Sequence, residues 1–207
     1  MQLFDRFKRG DLKLGRIEAF SDGVFAIIVT LLVLDLKVPD LGVDIHNSLR
    51  LGHELAGLLP KLLSWLISFV IVCKFWLNHH HILGLARNAD YGMVWLNSLF
   101  LMFQSFVPFP TALMGEYPGN PLSVSLFGVV MAFNTLLFMA LHRYILRNLI
   151  KPELVAWQPE NIIAKSFVGV FSYLLGAGAA WVNCDAAFVL YLITPLFFIT
   201  PPQRFVQ

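Results

Sequence analysis

Apolar residues dominate this chain in six long runs, at about 17–38, 57–77, 91–114, 122–142, 162–183 and 186–202, parted by short polar clusters. A bilayer-crossing helix needs roughly 20 mostly apolar residues, and the runs are close to that length. Charge is nearly excluded from long stretches: Tyr91–His142 holds Glu116 alone, and from Ser166 up to Arg204 only Asp185 occurs. The pattern predicts an all-α integral membrane protein with six transmembrane helices, residues 1–207 forming a single domain. The sixth run is the shortest and contains Pro195. Composition agrees. The chain is 57% hydrophobic and 14% charged with a mean hydropathy of +0.70, against about 45–50% apolar and about 25% charged in soluble domains.

Charge placement orients the six runs. With the N-terminus inside, Arg6, Lys8, Arg9, Lys13, Arg16, Lys74, Arg87, Arg143, Arg147, Lys151, Lys165 and Arg204 fall on the cytoplasmic side, and only Lys37, Arg50 and Lys61 fall outside. This bias is the positive-inside rule at work, and it predicts both termini in the cytoplasm. The net charge of +2 reflects that topology and gives no reason to expect nucleic acid as a partner. The basic N-region leads straight into the first run, without the small-residue cleavage site of a secretory signal. Cys73 and Cys184 fall on opposite sides of the membrane in this topology, so they read as small apolar packers.

The connecting segments carry signals of their own. In the first outer loop Leu41, Ile45, Ser48/Leu49, Gly52 and Leu55/Ala56 recur at helical spacing, with Asp44, Asn47, Arg50 and Glu54 between them. That spacing predicts a short amphipathic helix at the interface before Pro60. "GEYPGNP" (115–121) reads as a tight outer turn. Pro152 and Pro159 punctuate the longer inner loop 143–165. Gly169, Gly176 and Gly178, with Ala177, Ala179 and Ala180, give the fifth run a small-residue face suited to close helix packing.

Polar residues inside the runs are the candidates for function. "FSD" places Ser21 and Asp22 in the first turns of span one, where a carboxylate costs a few kcal/mol or more without a partner or a task. Ile27, Leu31 and Leu34 share a helix face, with Gly23 above them and Thr30 on the flank, and Asp22 lies about 140° from Ile27. The Ile/Leu stripe has two readings: lipid or helix contact, or a pore constriction of apolar rings that gates by dewetting. Asp22 reads as a buried acceptor bracing span one, with Arg16, the His79–His81 cluster and Asn97 as candidate partners. Its other reading is a conducting acid, which its angle to the stripe argues against. Three adjacent histidines end span two, but neighbours on a helix point about 100° apart and cannot jointly chelate one ion. Polar interface residues are the expected role there, with Trp76 as an interfacial anchor. In span three, Asn97, Gln104 and Ser105 precede "PFP" (108–110), which reads as interhelical hydrogen bonding and a proline-bent helix end. No carbonyl selectivity-filter motif, phosphate loop, HExxH or catalytic triad order is present. An enzyme, a metal site and an organic cofactor are therefore not expected.

"RIEAFSDGVFAIIVTLLVLDL" resembles the first-helix signature of the transmembrane protein 175 family, potassium channels with a non-classical potassium-channel fold. The matching positions are Arg16, Phe20, Ser21 and Asp22, then Ile27, Thr30 and Leu34, then Trp76 with His79 and His80, and Asn97 with "PFPTALM" (108–114). The resemblance implies a homotetramer in the cell inner membrane, with helix one of each subunit lining a central pore and K⁺ as the permeant ion. It implies that Ile27 forms the narrowest ring, bordered by Thr30, Leu31 and Leu34. It further implies an interhelical network of Arg16, Phe20, Ser21 and Asp22 with Trp76, the histidines and Asn97, with His79 and His80 both open as the contact. A single Phe-Ser-Asp copy fits a four-chain assembly. The competing function is a proton leak or proton-coupled transporter using Asp22 and His79–His81. An intramembrane enzyme with histidine-bound metal is a third and weaker reading.

Overall fold

The computed structural model describes residues 13–42, 46–157 and 162–197, and within them the ordered structure is helical. Helix α1 (Leu14–Leu31) continues into a 3₁₀ turn at Leu32–Asp35, and the short α2 (Ser48–Gly57) leads into the long α3 (Leu59–Gly84). Then come α4 (Tyr91–Ser105), α5 (Pro108–Glu116), α6 (Pro121–Asn148), a 3₁₀ segment at Pro152–Trp157, α7 (Ile162–Ala179) and α8 (Cys184–Phe197). Among the described residues, four segments are long and apolar enough to cross a membrane: Leu14–Asp35, Leu59–Gly84, Tyr91–Glu116 and Pro121–Asn148. Shorter apolar helical stretches occupy Phe167–Ala179 and Cys184–Pro195. Arg6, Lys8, Arg9 and Arg204 of the charge count lie outside the described residues. So do Asp44 and Ile45 of the outer-loop helix, Pro159, the Lys165 side chain and residues 198–202 of the sixth run.

Two boundaries differ from the hydropathy reading, each for a physical reason. The second span does not stop at 77 but runs to Gly84, so the three histidines are helical, His81 in the last turn. Hydropathy falls at Asn78–His81, yet His79 is buried there against a hydrogen-bonding partner, so the helix persists. The third span is two helices. Pro108 and Pro110 bring no N–H to the backbone ladder, and the chain tightens instead through Phe106 N–H to the Phe103 carbonyl (3.3 Å) and Val107 N–H to the Gln104 carbonyl (3.1 Å).

Helix α6 is the centre of the subunit, packed by α3, α4, α5, α7 and α8, while α1 packs on α3 and α4. Small residues let the last helices close on α6. The fully buried Tyr191 of α8 donates from its hydroxyl to the Val124 carbonyl of α6 (3.0 Å). A methyl group added at Gly128 or at Gly176 would collide with the Tyr191 side chain. Gly176, Ala177 and Ala180 of the predicted small-residue face are thus buried, whereas Gly178 stays exposed.

Both ends of the bundle are tied by polar contacts. At one end, Arg87 N–H donates to the Leu149 carbonyl (2.8 Å) and Lys151 N–H to the Leu85 carbonyl (3.0 Å). Lys151 Nζ reaches the Gly84 carbonyl (2.7 Å), and the Tyr144 hydroxyl donates to Asp90 Oδ2 (2.7 Å). Asp90 also caps α4 by accepting from Met93 N–H (2.8 Å). At the other end Lys61 pairs with Glu116 (2.5 Å), and Asn120 caps α6 through Leu122 N–H (2.9 Å). The outer-loop helix α2 is shorter than its spacing indicates; it begins at Ser48, where Asn47 caps it, and buries no residue. Cys73 and Cys184 are free thiols, each partly buried.

Candidate functional site

Helix α1 has two sharply different faces. Ser21, Phe25 and Ile28, followed by Leu32 in the 3₁₀ turn, recur at helical spacing and are buried against α3 and α4. Around the helix from them, Phe20, Ile27, Leu31 and Leu34 are exposed by 61%, 60%, 43% and 69%. Thr30 is on this exposed side, with its hydroxyl returned to the helix through the Ala26 (3.1 Å) and Ile27 (2.9 Å) carbonyls. The Thr30 hydroxyl is thus spent on its own helix, and the large side chains of the stripe are all apolar.

The buried face carries a polar chain across three helices. Ser21 Oγ donates to the Ile17 carbonyl one turn back (2.8 Å) and accepts from Asn97 Nδ2 of α4 (3.0 Å). Asn97 Oδ1 in turn meets His79 Nε2 of α3 (2.6 Å). Since an amide oxygen only accepts, the imidazole donates from Nε2 in this contact. All three side chains are almost fully buried. Aromatic rings wall the chain in: His79 stacks on Phe100 with centroids 5.7 Å apart and packs against Phe25 at 5.5 Å. Each hydrogen bond inside an apolar wall is worth more than its surface counterpart, because losing one partner strands the other.

Asp22 is separate from this chain. Its carboxylate accepts from the Trp76 indole N–H of α3 (2.9 Å) on the exposed side of the helix pair. This corrects the expected partners: Asn97 and His79 bind Ser21's side of the helix, and Arg16 belongs to neither contact. Of the histidines it is His79 that enters the network. His80 and His81 are exposed, with His80 lying beside Trp76 at 6.4 Å between ring centroids. Among the described residues no group of three His, Cys, Asp or Glu side chains converges as metal ligands would. In α4, Asn97 bridges helices as its position indicates. Ser105 instead turns back to the Met102 carbonyl (2.7 Å) on the surface.

Comparison with known proteins follows the same residues. A family model described as the endosomal/lysosomal potassium channel TMEM175 matches residues 16–108, the segment from Arg16 through the helix break. A Streptomyces collinus protein named as a potassium channel is 32% identical over 190 residues, covering 89% of this chain and 90% of that one. The chain belongs to the TMEM175 family. A Chamaesiphon minutus protein, also named as a potassium channel, is 49% identical over 107 residues, about half of each chain at 52%. The human protein named endosomal/lysosomal proton channel TMEM175 is 40% identical over 97 residues, which cover 45% of this chain and 19% of that protein. Among solved structures, the crystal structure of a lysosomal potassium-selective channel TMEM175 homolog from Chamaesiphon minutus superposes with a TM-score of 0.75. It is 34% identical and covers 89% of this chain and 95% of that one. This TMEM175 member is therefore an all-helical protein of a family of membrane ion channels.

The residues missed by sequence reasoning are informative. The residue pattern by itself did not pair Trp76 with Asp22, which are 54 positions apart; the family resemblance alone set the two in one network. Asn97 was expected to bridge helices; Thr111 was not singled out, although Asn97, Gln104 and Thr111 stand seven residues apart, a polar stripe on one side of otherwise apolar helices.

Proposed function

We propose that this chain forms a moderately K⁺-selective channel as a homotetramer in the cell inner membrane, conducting passively through a central pore lined by α1 of each subunit. The observation that carries this reading is the exposed apolar stripe Phe20–Ile27–Leu31–Leu34 on a helix whose opposite face is fixed by hydrogen bonds. Four copies of such a stripe make rings. Ile27 forms the narrowest, with Thr30, Leu31 and Leu34 bordering it. Apolar rings gate by dewetting and cannot replace an ion's hydration shell as carbonyls do, which keeps selectivity moderate. The full topology in this reading is six spans with both termini cytoplasmic, α7 and α8 supplying the last two. Ser21, Asn97 and His79, with Asp22 and Trp76 beside them, hold α1 at a set rotation so that the stripe faces the pore; Arg16 and His80 flank this brace, and Phe20 belongs to the stripe instead.

The test is ion flux from proteoliposomes loaded with K⁺ in external Na⁺, for wild type and Ile27→Asn. Passive K⁺ flux in the wild type, with faster or less selective flux in the variant, is the expected result. Equal flux and selectivity in the two would remove Ile27 from the pore.

A second reading is a proton leak or proton-coupled transport using Asp22 and His79–His81. It is supported by the name of the vertebrate relatives, a proton channel. It predicts flux that depends on a pH gradient and vanishes in folded, tetrameric Asp22→Asn. Loss of the assembly in that variant would return Asp22 to the bracing role.

A further inference from the structure

Between α3 and the broken span α4–α5 the buried polar side chains are arranged as rungs. The first rung is His79 with Asn97 (2.6 Å), and the last is Ser68 with Thr111 (2.7 Å). Gln104 stands midway between Asn97 and Thr111, seven residues from each. Between Ser68 and His79 the buried residues of α3 are Ile71, Val72 and Phe75, all apolar. Gln104 is 0% exposed, and neither atom of its carboxamide has a hydrogen-bond partner among the described residues.

The neighbouring α6 carries a matching deficit. Asn134, also 0% exposed, donates from Nδ2 to the Val130 carbonyl (3.0 Å) and to the Phe103 carbonyl (3.3 Å), which sets it one residue from Gln104. Its Oδ1 has no partner among the described residues. The spot is also where the α4 backbone breaks: Pro108 cannot donate to the Gln104 carbonyl, which accepts a tight bond from Val107 N–H (3.1 Å) instead.

We propose that Gln104 and Asn134 form a binding site for internal water at the α4–α5 break, completing the middle rung of this polar ladder. The chemistry of the groups selects water. Gln104 supplies two N–H donors and an acceptor and Asn134 an acceptor, so together they offer the two to four partners that a buried water uses. Neither side chain is charged, which gives an anion nothing to pair with. Two amide oxygens are also too few for a hard cation, which gathers about six or more. Without water the same amides would stand unsatisfied in an apolar core, a state that folded proteins rarely tolerate. The site is independent of the pore reading, because it lies wholly inside one subunit.

Water-edited solid-state NMR on the full chain in bilayers tests this, with the glutamine side chains labelled with ¹⁵N. The chain has five glutamines, and the Gln104 carboxamide is identified as the resonance lost in Gln104→Met. The expected result is polarisation transfer from water to that resonance, reduced several-fold in Asn134→Leu and retained in Asn134→Ser. The serine variant keeps an acceptor and serves if the leucine variant misfolds. No transfer to the Gln104 resonance in the wild type would overturn the site. Transfer unchanged in Asn134→Leu, or lost in a folded Asn134→Ser, would overturn the part assigned to Asn134.

Discussion

Both faces of α1 are largely apolar, but only the inward one buries a hydrogen-bonded polar side chain. That face carries the polar Ser21 together with Phe25 and Ile28, and the outward face carries Phe20, Ile27, Leu31 and Leu34. In water an apolar stripe of this kind would be a liability or an interface. In a bilayer the apolar side is free to meet lipid, another subunit or a pore, whereas the polar side is the one that must be satisfied. The difference assigns the work. Hydrogen bonds on the inward face set the rotation of α1, and the outward face meets whatever lies beyond the subunit.

Substitutions that separate the two faces are ranked by their expected cost to the fold. The largest effect belongs to Asn97→Leu, which strands His79 inside an aromatic wall and leaves Ser21 only its bond to the Ile17 carbonyl. At about 1–3 kcal/mol for each buried group left unpaired, unfolding in a denaturing-detergent titration should shift far toward lower detergent. An unshifted midpoint would mean that the inward face does not hold α1. Ser21→Ala removes a single link of the same chain and leaves His79 on Asn97, so a loss of about 1 kcal/mol is expected by the same titration. Trp76→Phe keeps the ring's bulk and deletes only the indole N–H that Asp22 accepts from. On this exposed side the cost to the subunit should fall below about 1 kcal/mol, and analytical ultracentrifugation of the detergent-solubilised protein should register any larger effect on assembly. Ile27→Asn should cost the isolated subunit least, because Ile27 is 60% exposed within it. Its effect belongs in flux.

Much of this contrast was legible in the sequence. Ser21 and Asp22 inside an apolar run had to have partners, and Ile27, Leu31 and Leu34 shared a face by spacing alone. The angular separation of Asp22 from the stripe also agrees with the structure, where the carboxylate turns to Trp76 rather than along the stripe. The identity of that partner was not legible from the residue pattern, since an indole N–H at position 76 looks the same whether it anchors at an interface or caps a carboxylate; only the family resemblance set Trp76 in one network with Asp22. The length of α3 was hidden for a related reason. A hydropathy window scores His79 as polar, while the fold buries it by supplying Asn97. The break at Phe106–Val107 was announced by Pro108 and Pro110 only as a bend. What the sequence could not convey is that Gln104, just before the break, would be fully buried with its carboxamide unpartnered among the described residues, one residue from the Phe103 carbonyl that Asn134 of α6 holds.

The central claim is that the outward face of α1 lines a pore. The most direct test places single cysteines at Ile27, Leu34 and, on the inward face, Ile28, with Cys73 and Cys184 replaced by alanine. K⁺ flux from proteoliposomes is then followed as a methanethiosulfonate reagent is added. The account predicts that the reagent blocks flux through the Ile27→Cys and Leu34→Cys channels and leaves Ile28→Cys untouched. Flux that survives modification at both 27 and 34 would contradict it.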